Sequence, residues 1–199
     1  MKPIKVFTFK GNKQIGVCGQ SELKNKTTTY SEFVCFECGE KKIIDEWDAT
    51  EECRIEQKGD TLYIKQIYYL PIGKNFEEIP TPFHIYKVFY YNGEVTKECS
   101  YRNDIPLYTN KQIEAVLKQF YKLKKENSEA NLSEANKLFW AYVSGSKEAE
   151  KCLNQMEKKY GPFDGAIKEL WNFIYYTYIN YKSGSKSVKH IYFNDNTIE

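Results

Sequence analysis

Residues 163–182 read Phe-Asp-Gly-Ala-Ile-Lys-Glu-Leu-Trp-Asn-Phe-Ile-Tyr-Tyr-Thr-Tyr-Ile-Asn-Tyr-Lys. Their period is helical. Ile167, Leu170, Trp171, Ile174, Tyr178 and Tyr181 recur three or four apart, and Phe173, Tyr176 and Ile179 form a second apolar strip beside them. Asp164 follows the breaker pair Gly161-Pro162 and suits an N-cap, because its carboxylate accepts from the free amides of a first turn. Ser183-Gly184 closes the far end. A helix apolar over most of its circumference is normally buried between layers, so this one is expected to be the central post of a helical core. Lys168, Glu169, Asn172 and Asn180 make it too polar to span a bilayer.

Working back from that helix, the same period holds as far as residue 106. Thr109 with Gln112 makes a capping box, and Ile113, Val116, Leu117, Phe120 and Leu123 line one face. Ser133 is expected to cap a second helix through Ala135, Leu138, Phe139 and Tyr142. Gly145-Ser146 opens a third through Ala149, Cys152, Leu153, Met156 and Tyr160. Before residue 106 the period is two. Strands are expected at 4–9, 14–18, 30–38, 41–47, 53–57, 61–70, 83–91 and 94–101. Gly11-Asn12, Gly39-Glu40, Lys58-Gly59-Asp60 and Asn92-Gly93 serve as turns. Residues 19–28 read as a polar loop. Residues 71–82 hold three prolines without amide donors and read as a longer loop packed down by Phe76 and Ile79. A last edge strand is expected at 188–193. Strands first and helices after give an α+β chain: one domain over 1–199, with a β-rich half at 1–105 as an antiparallel meander of hairpins and a helical half at 106–199 of about four helices.

A chain of 199 residues buries roughly 70% of its unfolded surface, so its core needs no metal or disulfide. Net charge is +2 on 29 basic and 27 acidic side chains. That balance argues against a dedicated nucleic-acid binder, which carries a basic excess on one face. Lys122, Lys124 and Lys125, with tyrosines for stacking, are the basis of the nucleic-acid reading, and they read more simply as the solvated end of a helix. Lys5 and Lys10 interrupt any apolar leader, so a cytoplasmic protein with six free thiols is expected.

The sharpest motif is Cys35-Phe36-Glu37-Cys38-Gly39, the shape of a zinc knuckle. A structural zinc site needs four ligands, and the chain has no second CxxC. Packing of Cys35 and Cys38 as small strand residues is therefore preferred, with no cofactor expected and a zinc-supported module or enzyme as the rival. His84 and His190 read as structural or surface residues, although a Cys–His nucleophilic pair is arithmetically open. No Gly-rich phosphate loop, nucleophile elbow or HExxH occurs.

What remains is a composition suited to binding. Aromatic residues make up 16% of the chain, seventeen of them Tyr. Trp47 stands within Asp45, Glu46, Asp48, Glu51 and Glu52, which reads as an interface anchor inside an acidic rim. In each pair Tyr68-Tyr69 and Tyr90-Tyr91 one ring must leave the core face, and Tyr69 and Tyr91 are the candidates. The expectation is a protein that binds and blocks one protein partner, possessing no catalytic set. Its concrete form is a toxin-neutralising immunity protein facing a basic toxin or effector.

Overall fold

The computed structural model describes residues 4–24, 26–48, 52–123, 129–160, 163–182 and 188–190. The protein has an antiparallel β-sheet followed by a bundle of helices, an α+β fold. Strands are β1 (Lys5–Thr8), β2 (Gln14–Lys24), β3 (Thr27–Glu37), β4 (Lys42–Trp47), β5 (Cys53–Lys58), β6 (Thr61–Leu70), β7 (Ile79–Tyr91), β8 (Glu94–Tyr101) and β9 (Val188–His190). Helices are α1 (Asn110–Phe120), α2 (Glu129–Val143), α3 (Lys147–Tyr160) and α4 (Gly165–Lys182). Two compact units emerge. One comprises Met1–Tyr68, Thr81–Arg102 and Lys186–Glu199, the other Tyr69–Pro80 and Asn103–Ser185.

In the β unit the strand order is β1-β2-β3-β5-β6-β7-β8-β9, with β4 paired to β3. The Asn92-Gly93 turn forms as its chemistry dictates, with both residues at positive φ, and sets Tyr91 opposite Glu94. Residues 19–24 and 27–28 are strand and not loop. β2 and β3 pair as a long ladder from Ile15–Glu37 to Lys24–Thr27. Gly19 makes this possible at a bulge. Its φ is +147°, and a Cβ there would meet the Phe33 Cα at 2.5 Å. β7 begins four residues before the expected 83, at Ile79, and runs through Pro80 and Pro82. A proline's fixed φ suits extended backbone, so only ladder donors are forfeited. Residues 188–190 pair with β8 as an edge strand, and 191–193 lie outside the described residues.

The sheet coils until its inner face meets itself. Trp47 on β4 stacks on Phe33 at 4.6 Å and meets Tyr86 of β7 edge-on at 5.5 Å. Phe9 meets Tyr90 at 5.5 Å. Ile15, Val17, Cys35, Cys53, Leu62, Ile64 and Val88 fill the space between and are fully buried. The turn ends are tied as well. Lys13 Nζ donates to the Gly93 carbonyl at 2.5 Å, and the Lys10 amide donates to Asp60 Oδ1 at 2.9 Å.

In the helical unit the capping box closes as expected: the Gln112 amide donates to Thr109 Oγ1 at 3.3 Å, and the Thr109 amide donates to Gln112 Oε1 at 3.0 Å. The central post is α2, however, and not α4. α2 packs against α1, α3 and α4. Ala135, Leu138, Phe139, Trp140 and Ala141 are all buried, and the small alanines let neighbours approach. Trp140 is 1% exposed and donates through its indole to the Pro106 carbonyl at 3.0 Å. α4 buries Trp171 against Phe163 but leaves Leu170 50% and Tyr176 64% exposed. The stretch 69–80 belongs to this unit. Tyr108 donates to the Pro71 carbonyl, Asn136 Nδ2 donates to the Tyr69 carbonyl at 3.2 Å, and Phe76 packs on Tyr108 at 5.4 Å.

Trp140→Ala should therefore destabilise the protein by about 3–5 kcal/mol, whereas Leu170→Ala should change stability by no more than about 0.5 kcal/mol, as read by denaturant titration. The reverse order would restore α4 as the post.

Candidate functional site

Strand pairing assembles a row that no single stretch of sequence contains. Val6 pairs with Gly16, Gly16 with Phe36, and Phe36 with Ile43. Residues paired across neighbouring strands share a face, so these four cross β1 to β4 on one side of the sheet. It is the outer side, since their chain neighbours Phe7, Ile15, Val17, Cys35 and Ile44 are core. Val6 and Ile43 are each 41% exposed, and Phe36 is half-buried. The far end of the Phe36 ring occupies the space over Gly16, where a Cβ would stand 2.5 Å from its Cζ. Gly16 thus sets the depth of the patch. Val34, half-buried, extends it along β3, and its partner on β4 is Glu46. Glu46 and Asp48 are exposed and border the row on the β4 side. An exposed apolar patch with a charged border is the usual form of a protein-binding surface.

The acidic stretch divides by strand alternation. Trp47 is 4% exposed and belongs to the core, so it is no surface anchor. Asp45 also turns inward, where it pairs with Lys97 of β8. Lys97 in turn sits 5.0 Å from the Tyr86 ring centroid and 5.8 Å from that of Trp47. Glu46 and Asp48 remain at the surface, Glu52 is half-buried, and Glu51 lies outside the described residues. Tyr91 is exposed at the β7–β8 turn of the β unit. Tyr69 is exposed in the helical unit. The residues missed in the sequence were Val6, Gly16, Phe36 and Ile43. They are scattered over 38 positions and joined only by register.

A second cluster lies on the inner face of β6 to β8. Cys99 Sγ touches His84 Nε2. His84 Nδ1 is 3.0 Å from the Tyr86 hydroxyl and 3.3 Å from Gln66 Oε1, and the ring stacks on Tyr101 at 4.6 Å. A proton on Nδ1 satisfies Gln66 and leaves Nε2 to accept from the thiol. The layout is that of a nucleophile, a base and an orienting group. Its electrostatics are not. Burial pushes the Cys99 thiol up to about 11 and, with Lys97 beside it, pushes the His84 imidazole down to about 4. Both directions disfavour a thiolate–imidazolium pair, so the cluster holds structure rather than activating sulfur. Cys35 is fully buried, its thiol raised first by desolvation and then by Asp45, whereas Cys38 is half-buried beyond the end of β3. Among the described residues no group of three or more His, Cys, Asp or Glu side chains converges to hold a metal. Of the basic residues considered for nucleic acid, Lys122 is exposed and Lys124 and Lys125 lie outside the described residues. No helix among the described residues is long and apolar enough to cross a membrane.

No family model matches the chain, and neither a curated protein nor a solved structure matches it.

The His84 environment has a consequence for pH. Its folded pKa, about 4, lies below the ordinary 6.5, so the folded state binds fewer protons than the unfolded chain between those values. Stability from the neutral ring is complete above pH 6.5 and declines as pH falls toward 4, by up to about 3 kcal/mol. His84→Asn should flatten the pH dependence of denaturant midpoints across that window. An unchanged slope would show that His84 is not held neutral.

Proposed function

We propose that this protein binds and blocks one protein partner through the outer face of β1 to β4. The supporting observation is the outer-face row Val6–Gly16–Phe36–Ile43, exposed at Val6 and Ile43 and bordered by Glu46 and Asp48. Apolar contact supplies the affinity in such a patch, and the acidic border favours a basic partner and speeds its approach. A toxin-neutralising immunity protein acting in the cytoplasm is the concrete form of this reading. Inhibition by occlusion needs a presented surface and no chemistry, which suits a protein whose Cys99–His84 cluster is held neutral. The anchor role passes from Trp47 to Phe36 and Ile43, while the acidic border keeps Glu46 and Asp48.

The test is co-expression with the products of neighbouring genes, read as growth rescue and stoichiometric co-purification. A toxic neighbour should be neutralised by the native chain. Ile43→Asp and Val6→Asp should each cost the fold no more than about 0.5 kcal/mol, because both side chains are surface groups, and should abolish rescue. Full rescue by both well-folded variants would refute this face as the binding surface.

A further inference from the structure

We propose that the helical unit binds a small organic cation of the trimethylammonium class, in a cavity at the turn between α2 and α3. The site uses none of the residues of the β face and does not rest on the reading given for that face.

The cavity holds about 340 Å³ and is lined by Tyr142, Val143, Gly145, Ser146, Lys147, Glu150 and Tyr181, all within the helical unit. α2 ends here in a Schellman turn. Gly145, at a φ of +98°, donates its amide to the Tyr142 carbonyl at 2.8 Å, and the Ser146 amide donates to the Ala141 carbonyl at 3.1 Å. The carbonyls of Val143 and Ser144 come next and carry the negative end of the helix. This end is fixed in place: Ser144 Oγ donates to the Trp140 carbonyl and accepts from the Tyr108 amide, both at 2.8 Å. Tyr142 and Tyr181, both half-buried, supply aromatic walls. Tyr181 is held edge-on to the buried Phe139 ring at 6.1 Å. Glu150, half-buried in the first turn of α3, adds a carboxylate.

These features agree on the sign of the occupant. Aromatic faces, a helix C-terminus and a carboxylate all attract positive charge. The free amides that open α3 would by themselves favour an anion. Here Ser146 Oγ accepts from the Ala149 amide at 3.1 Å, and Glu148 and Glu150 place two carboxylates in that turn, which offsets its positive end. Lys147 is the one opposing charge among the lining residues. It is exposed, and its long stem lets the ammonium turn to solvent. One lining carboxylate is too few for a hard metal ion, which takes about six oxygen ligands. A cation with methyl groups outermost suits walls that are part aromatic and part aliphatic at Val143. It also gives up less hydration on entry than a bare ammonium does. Choline and trimethylated lysine both present this group.

The experiment titrates the full-length protein with tetramethylammonium chloride and follows the ring resonances of Tyr142 and Tyr181 by NMR, with sodium chloride at matched ionic strength as the blank. The expected result is a saturable shift centred on those two rings and absent with tert-butanol, a neutral molecule of similar shape. Glu150→Gln should weaken binding by about threefold or more, and Lys147→Gln should tighten it by about twofold or more. Tyr181→Phe keeps the aromatic face and should bind as the native chain does, whereas Tyr181→Leu should lose about threefold or more. Lys147 is exposed, so its variant keeps the fold and the two charge variants decide the sign even where Tyr181→Leu unfolds. Linear shifts without saturation, equal shifts with tert-butanol, or preferential binding of sulfate that Lys147→Gln weakens would each overturn the cation site. Choline and an acetylated, amidated peptide with one trimethylated lysine separate the two sources of the group. Equal affinity assigns the site to a free small molecule, and peptide binding tighter by about tenfold or more assigns it to a modified protein side chain.

Discussion

The stack of Trp47 on Phe33 is the contact on which the β unit depends. It draws β4 under the coil of the sheet, where the Trp47 ring meets Tyr86 from the far side. A sheet that closes on itself in this way builds its core from its own inner face. The opposite face of β1 to β4 is thereby left to carry Val6, Phe36 and Ile43 outward. Period-two alternation forces the link: each strand that gives a residue to the core gives its neighbours to the surface. Binding surface and core are in that sense one decision of the chain.

The interior of the β unit also contains polar groups joined to defined partners. Asp45 pairs with Lys97, Tyr90 donates to Glu37 Oε1 at 2.9 Å, and His84 joins Cys99, Tyr86 and Gln66. The Asp45–Lys97 and Tyr90–Glu37 contacts span strands distant in sequence, and the His84 cluster ties β6, β7 and β8 together. Buried polar pairs are weak sources of net stability, but removing one partner is costly, so they penalise mispaired sheets. Here they sit where β3 and β4 close against β7 and β8. They specify that closure while the apolar core supplies its free energy.

Much of this architecture was legible in the sequence, because local chemistry dictates it. Asn92-Gly93 can hardly avoid a hairpin, and Thr109 with Gln112 announced α1 to the residue. The α+β order followed from the change of period near residue 106. What misled was composition read without geometry. The α4 stretch is rich in tyrosine and looked apolar all round, yet tyrosine is content with its hydroxyl in water, and Tyr176 is exposed. α2 looked less apolar, but its alanines are what a crowded central helix needs. Trp47 was judged by its acidic neighbours. Alternation through Asp45, Glu46, Trp47 and Asp48 would have placed it on the side opposite Glu46 and Asp48, which is where it lies. The row across β1 to β4 was beyond reach, since it exists only once three strand registers are fixed.

The account stands on the outer face of β1 to β4 as the surface a partner covers. Methyl-resolved NMR of the protein in complex with its captured partner tests this most directly. The methyl resonances of Val6 and Ile43 should shift strongly on complex formation, while those of the inner core residues Ile55 and Leu62 stay in place. Shifts centred on Leu170 of α4, with Val6 and Ile43 unmoved, would contradict it and transfer the binding surface to the helical unit.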